Sequence, residues 1–128
     1  MNIEGITTQP DPYAPYLLSQ AIKADPFVFV SGQAGYDDDG KIVKGGFLAQ
    51  GEQAFQNLNR ALTAAGSSLD KVVKVTIFVT DMGQFNHVVD LRRKYFSAPY
   101  PADSIVEIKA LYTPEAMIEI EATALADD

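Results

Sequence analysis

The sequence has no cysteine and no tryptophan, and its one histidine is His87. Without cysteine there is no disulfide framework, no thiolate nucleophile and no Cys-ligated zinc. His87 has neither a second histidine nor a metal-spaced acid cluster beside it, so no His-based metal centre or acid–base pair is expected. Basic charge is also scarce: ten Lys and Arg stand against seventeen Asp and Glu, for a formal net charge of −7. That surplus repels a phosphate backbone at long range, and nucleic acid is not expected as the main partner. The only basic run, Arg92-Arg93-Lys94, reads as a solvated helix face, because no groove-reading motif surrounds it. No apolar stretch reaches the ~18–20 residues of a membrane span, and the N-terminal residues lack a basic region leading into a hydrophobic one. The cytoplasm is the expected compartment.

What is present suits an ordinary globular chain: 128 residues, 47% hydrophobic and 21% charged. That length allows a single domain over residues 1–128 that buries roughly two-thirds of its unfolded surface without a staple. Pro10, Pro12 and Pro15 make the first sixteen residues an extended arm. Alternating patterns over 17–24 and 27–31, with the turn signal Asp25-Pro26 between them, predict a hairpin. The acidic run Asp37-Asp38-Asp39-Gly40 reads as a solvated turn; it lacks the spaced ligands and closing Glu of a calcium loop.

Residues 47–65 predict the clearest helix, with Phe47, Gly51, Ala54, Phe55, Leu58, Ala61, Leu62 and Ala65 on one stripe and Gly66 as its stop. A strand follows over 72–80, with Val73, Val75, Ile77 and Val79 on one face. Asp81, with Gln84 three residues on, is the expected N-cap of a second helix. Its stripe reads Met82, Phe85, Val88, Val89, Tyr95 and Phe96, and Arg92 falls within it. Pro99 and Pro101 stop that helix. The order strand, strand, helix, strand, helix, strand, strand predicts an α+β fold with two helices on one face of a mixed sheet.

The last two strands concentrate the chemistry. In 117–125, Ile118, Ile120, Ala122 and Ala124 alternate with Glu119 and Glu121; in 103–110, Val106, Ile108 and Ala110 alternate with Asp103, Ile105, Glu107 and Lys109. With the apolar rows toward the helices, the acids line the uncovered face beside Phe78, Ile105 and Met117. A face of that composition is expected to be covered by further copies of the chain, with clefts at the boundaries.

Several phrases, in this order, resemble one family: Pro15-Tyr16, Ser19-Gln20-Ala21, Phe29-Val30-Ser31-Gly32-Gln33, Gln53-Ala54-Phe55-Gln56-Asn57-Leu58, Ala64-Ala65-Gly66-Ser67-Ser68-Leu69, Val73-Lys74-Val75, Thr80-Asp81-Met82, Pro101-Ala102 and Ile118-Glu119-Ile120-Glu121-Ala122. They span nearly the whole chain and are similar to the Rid family, also called YjgF or reactive intermediate deaminases and once L-PSP endoribonucleases. The resemblance implies a chorismate-mutase-like fold assembled as a homotrimer, with ligand clefts between subunits. It also implies cofactor-free hydrolysis of a reactive enamine or imine to a carbonyl compound and ammonia. Glu119 matches the glutamate that positions or activates water, and Tyr16, Ser31 and Gly32 match pocket-wall positions.

The chain departs from the pattern at the substrate-binding end. The family's diagnostic Arg, directly after Pro-Ala, is here Asp103, and Ile105 stands where many members carry cysteine. An acid cannot replace the fork that holds a substrate carboxylate, which loses charged hydrogen bonds of about 1.5–3 kcal/mol each. The expected substrate is therefore not simple 2-aminoacrylate; a 2-aminomuconate-like compound is compatible. Arg92 is read either as a cation paired with Asp103 or another acid, or as a displaced carboxylate anchor. Asp103 is read as a possible second acid in the cleft. Two other readings stay open: a non-catalytic trimer that binds a small metabolite or a partner protein, and an endoribonuclease, against which the charge and the single histidine both count.

Overall fold

In the computed structural model, residues 2–127 build a six-stranded mixed sheet with two α-helices on one of its faces. The strands are β1 (Glu4–Ile6), β2 (Ala21–Ala24), β3 (Phe27–Ala34), β4 (Val72–Val79), β5 (Ala102–Glu107) and β6 (Ile118–Leu125). The helices are α1 (Gly46–Ala64) and α2 (Phe85–Tyr95). The sheet order is β1-β2-β3-β6-β4-β5; every neighbour is antiparallel except the parallel pair β4–β5, which α2 connects. This is the expected α+β architecture. Among the described residues no helix is long and apolar enough to cross a membrane.

The α1 stripe holds as read. Phe47, Ala54, Phe55, Leu58, Ala61 and Leu62 are all buried, and Phe55, Leu58 and Leu62 are fully so, each contributing about 2 kcal/mol of apolar burial. The helix stops where Gly66 takes a left-handed φ of +75°, which lets the Gly66 and Ser67 N–H groups bond back to Thr63 and Leu62 carbonyls. In α2 the buried residues are Val88 and Leu91 rather than Val89, so the stripe is rotated by about one position. Arg92 lies at its edge, over the Phe85 ring at 5.8 Å. Asp81 does cap the start of this segment, accepting from Gly83 N at 2.8 Å, whereas Gln84 bonds His87 Nδ1 instead of closing a capping box.

Four readings of the strands are corrected. A first strand, β1, pairs with β2, though three residues ending at Ile6 are too short for an alternation to register. The segment before β2 is not extended: Ala14–Tyr16 forms a single 3-10 turn, with Tyr16 N bonded to Tyr13 O and Leu17 in the left-handed region at φ 61°. In β4 a register shift between Val72 and Lys74 buries Val72 and turns Val73 out to solvent.

The fourth correction bears on function. The parallel register pairs Asp103 with Val75 and Ile105 with Ile77, so both point to the helix side, while Val106 lies beside Phe78 on the open face and is 40% exposed. The expected row of Val106, Ile108 and Ala110 fails because the strand ends at Glu107 and only Ile105 is left to meet the core. Met117 also packs against the core. The open face instead presents Phe27, Phe29, Phe78, Val106 and Leu125, with Lys74, Glu121 and Thr123 between them.

Candidate active site

Two buried amides on α1 fix the walls of the site. Asn57 Nδ2 donates to the carbonyls of Ala34 and Tyr36, at 2.9 and 3.0 Å, which holds the end of β3. Gln50 donates to Glu115 O at 2.9 Å and accepts from Met117 N at 2.8 Å, which sets the entry of β6 two residues before Glu119. Both lie on the face of α1 that the sequence pattern marks as apolar, and both satisfy backbone groups that burial would otherwise strand. From the other side the Thr8 hydroxyl and N–H both donate to Gln20 Oε1, tying the arm down.

Between these walls lies a cavity of about 800 Å³, lined by the arm, the end of β3, the acidic turn, the loop before β6, and Glu119. Glu119 projects from the open face of β6 against Gly32. A Cβ built on Gly32 would sit 2.6 Å from the Glu119 carboxylate, so only glycine admits the acid in this place. Gly32 lies in the bulged part of β3, where the ladder to β6 shifts register between Val30 and Gln33. The Tyr13 hydroxyl donates to Gly32 O at 2.5 Å, and the Tyr13 and Tyr36 rings meet edge to face at 5.8 Å. The Tyr36 hydroxyl donates in turn to Gln33 Oε1.

The electrostatics follow from this enclosure. Burial, with Glu121 beside it on the strand, raises the Glu119 pKa above the usual carboxylate range. Burial pushes Tyr112 up to about 12, with the Glu119 charge adding to it. Tyr13 is held far above the ordinary phenol range, mainly by burial and then by Tyr36. The Tyr13 and Tyr112 phenols are therefore neutral beside a carboxylate whose proton affinity burial raises. The acidic turn forms part of the rim: Asp37 Oδ1 accepts from the N–H groups of Asp39 and Lys41, and Asp38 pairs with Arg60 at 3.2 Å.

Of the residues singled out from the sequence, the structure brings Tyr16, Gly32 and Glu119 to the cavity. Ser31 is close in sequence but its hydroxyl donates to Ser19 O at 2.7 Å, linking β3 to the arm. Arg92, Asp103 and Ile105 are not among the lining residues of the same chain. Arg92 Nε and Nη2 instead make a bidentate pair with Asp103 at 2.8 and 2.9 Å, half-buried between α2 and β5. Tyr13, Tyr36 and Tyr112 line the cavity without having been singled out. The repeated Pro-Tyr at Pro12-Tyr13 and Pro15-Tyr16 was the available signal for one of them, because a 3-10 turn eclipses side chains three residues apart. For Tyr112 no local pattern exists.

Residues 6–126 match the family described as Endoribonuclease L-PSP. A RutC family protein of Pyrococcus horikoshii is 42% identical over 116 residues, covering 90% of each chain. The human 2-iminobutanoate/2-iminopropanoate deaminase is 37% identical over 117 residues, covering 91% of this chain and 83% of its own. Among solved structures, RidA from an Antarctic Psychrobacter superposes with a TM-score of 0.88 at 36% identity, covering 95% of this chain and 98% of that one.

Proposed function

Because the chain belongs to the endoribonuclease L-PSP family, the Rid/YjgF group that includes imine deaminases, we propose that it hydrolyses a reactive imine or enamine to a carbonyl compound and ammonia. The observation that carries this reading is the Glu119 carboxylate, seated on Gly32 in the cavity wall with its pKa raised by burial. Glu119 accepts a proton from water as the water oxygen bonds to the carbon of a protonated imine, and the C=N π pair moves to nitrogen. Glu119 then gives that proton to the nitrogen of the amino alcohol. The C–N bond breaks with its pair on nitrogen, and the hydroxyl proton passes to the departing ammonia. The sum is iminium plus water giving carbonyl compound plus ammonium, with no redox change and no group beyond the chain's own side chains. Tyr13 holds the Gly32 carbonyl, and Tyr16 and Tyr112 enclose the substrate.

The substrate in this reading is not simple 2-aminoacrylate. The position that would carry a carboxylate-binding Arg is Asp103, and the nearby guanidinium of Arg92 is already bound to it in both prongs. The working form is a homotrimer, supported by the phenylalanines and Val106 on the open sheet face, whose exposure a single chain leaves uncovered. The same pairing of Arg92 with Asp103 also favours a second reading, a trimer that binds a small metabolite without turning it over. Ammonia release decides between them. Purified protein is given enzymatically generated imines, 2-aminoacrylate and 2-aminomuconate, beside Glu119→Gln. Rates above the uncatalysed ones that vanish in the variant support the hydrolase; rates equal to those without protein across the panel leave the binding module.

A further inference from the structure

The cavity is unusual in its charge. Its lining includes Glu119, Asp11, Asp38 and Asp39, together with the rings of Tyr16 and Tyr112, and among the described residues that line it there is no Lys, Arg or His. The basic side chain at its rim, Arg60, is paired with Asp38. A ligand carboxylate placed here would find phenol O–H donors but no cation among these lining residues, and it would face four carboxylates, at a cost that grows as water is excluded. A cation meets the opposite: aromatic rings, whose faces attract positive charge through their quadrupoles, and a carboxylate.

We infer that this cavity selects a small cationic imine or amine that carries no carboxylate, with its charge held between Glu119 and the rings of Tyr16 and Tyr112. The inference rests on the hydrolytic reading above for the identity of the reacting group, and on the lining for the charge. The Glu119 charge adds to the cost of ionising Tyr112, so the phenol beside the carboxylate stays neutral and its ring is free to take part in holding a cation. The net charge of −7 further concentrates cations near the chain. Hydrolysis of such an iminium keeps the charge in the site, since the positive product is ammonium.

The test compares two imines that differ by one carboxylate. Propan-1-imine is generated from propylamine by a flavin amine oxidase and 2-iminobutanoate from 2-aminobutanoate by an amino-acid oxidase. Ammonia release is followed with the full chain present or absent, and propylammonium and butanoate are titrated by calorimetry. The expected result is faster hydrolysis of propan-1-imine and saturable binding of propylammonium but not butanoate. Tyr112→Ala should weaken propylammonium about tenfold while Tyr112→Phe, which keeps the ring, holds it, with circular dichroism showing both folded. Preference for 2-iminobutanoate overturns the inference and leaves the hydrolase standing. Propylammonium binding with no turnover of either imine overturns the hydrolase and leaves the cation preference. Neither binding nor turnover overturns both, and unchanged binding in Tyr112→Ala removes its ring from the cation site.

Discussion

The cavity around Glu119 and the β5 edge around Asp103 each hold a half-buried carboxylate, and they treat it in opposite ways. Asp103 receives two charged hydrogen bonds from Arg92 and lies on the helix side of the sheet. Glu119 lies on the other side, against a glycine and among phenols, and its proton affinity rises because nothing cationic offsets its burial. The first arrangement ties α2 to the edge strand; the second, under the proposed hydrolysis, keeps a base available. The ion pair and the proposed chemistry thus lie on opposite faces of one sheet.

The contrast is broken most sharply at Glu119. Glu119→Gln keeps the shape and removes the base, so hydrolysis should fall about 10²–10⁴-fold with the fold intact, as measured by ammonia release and circular dichroism. Gly32→Ala comes next: its Cβ would meet the carboxylate at 2.6 Å and displace it, lowering turnover about 10–100-fold although Glu119 itself is retained. At the other end, Arg92→Ala strands Asp103 and should cost about 2 kcal/mol in urea unfolding. The double variant Arg92→Met with Asp103→Leu should recover most of that loss, and a double variant as unstable as the single one would show that the pair is not what holds the edge.

The smallest effect is in pH. The folded-state pKa of Glu119 lies above its unfolded value, so the folded chain holds that proton more tightly. Its contribution is present below the ordinary glutamate range and is lost as pH rises through the raised folded value. Wild type and Glu119→Gln should unfold at similar urea concentrations at low pH and diverge above it, with the variant the more stable. Glu121, Tyr13 and Tyr112 face the same group; the tyrosines stay neutral across this window.

Legibility in the sequence followed the number of neighbours that a local pattern could report. The α1 stripe and the β6 alternation were readable because each repeats over many residues and only one face can be buried. At β5 the alternation placed Val106, Ile108 and Ala110 toward the core, but the strand is only six residues long with Ile105 and Val106 adjacent, and the parallel register with β4 puts Ile105 there instead. The pairing of Tyr16 and Gly32 with Glu119 came from likeness to a family, since no spacing rule links residues a hundred positions apart.

The sequence by itself determined the layers, the helices and the acid-rich balance of charge, all of which depend on composition and on periods of two and 3.6 residues. Tertiary structure alone decided which carboxylate would be neutralised and which left free. Asp103 and Glu119 both sit on alternating strands, but strand register delivered one to a guanidinium and the other to a glycine. Charge pairing is a matter of a few ångströms between distant segments, and no local pattern encodes that distance.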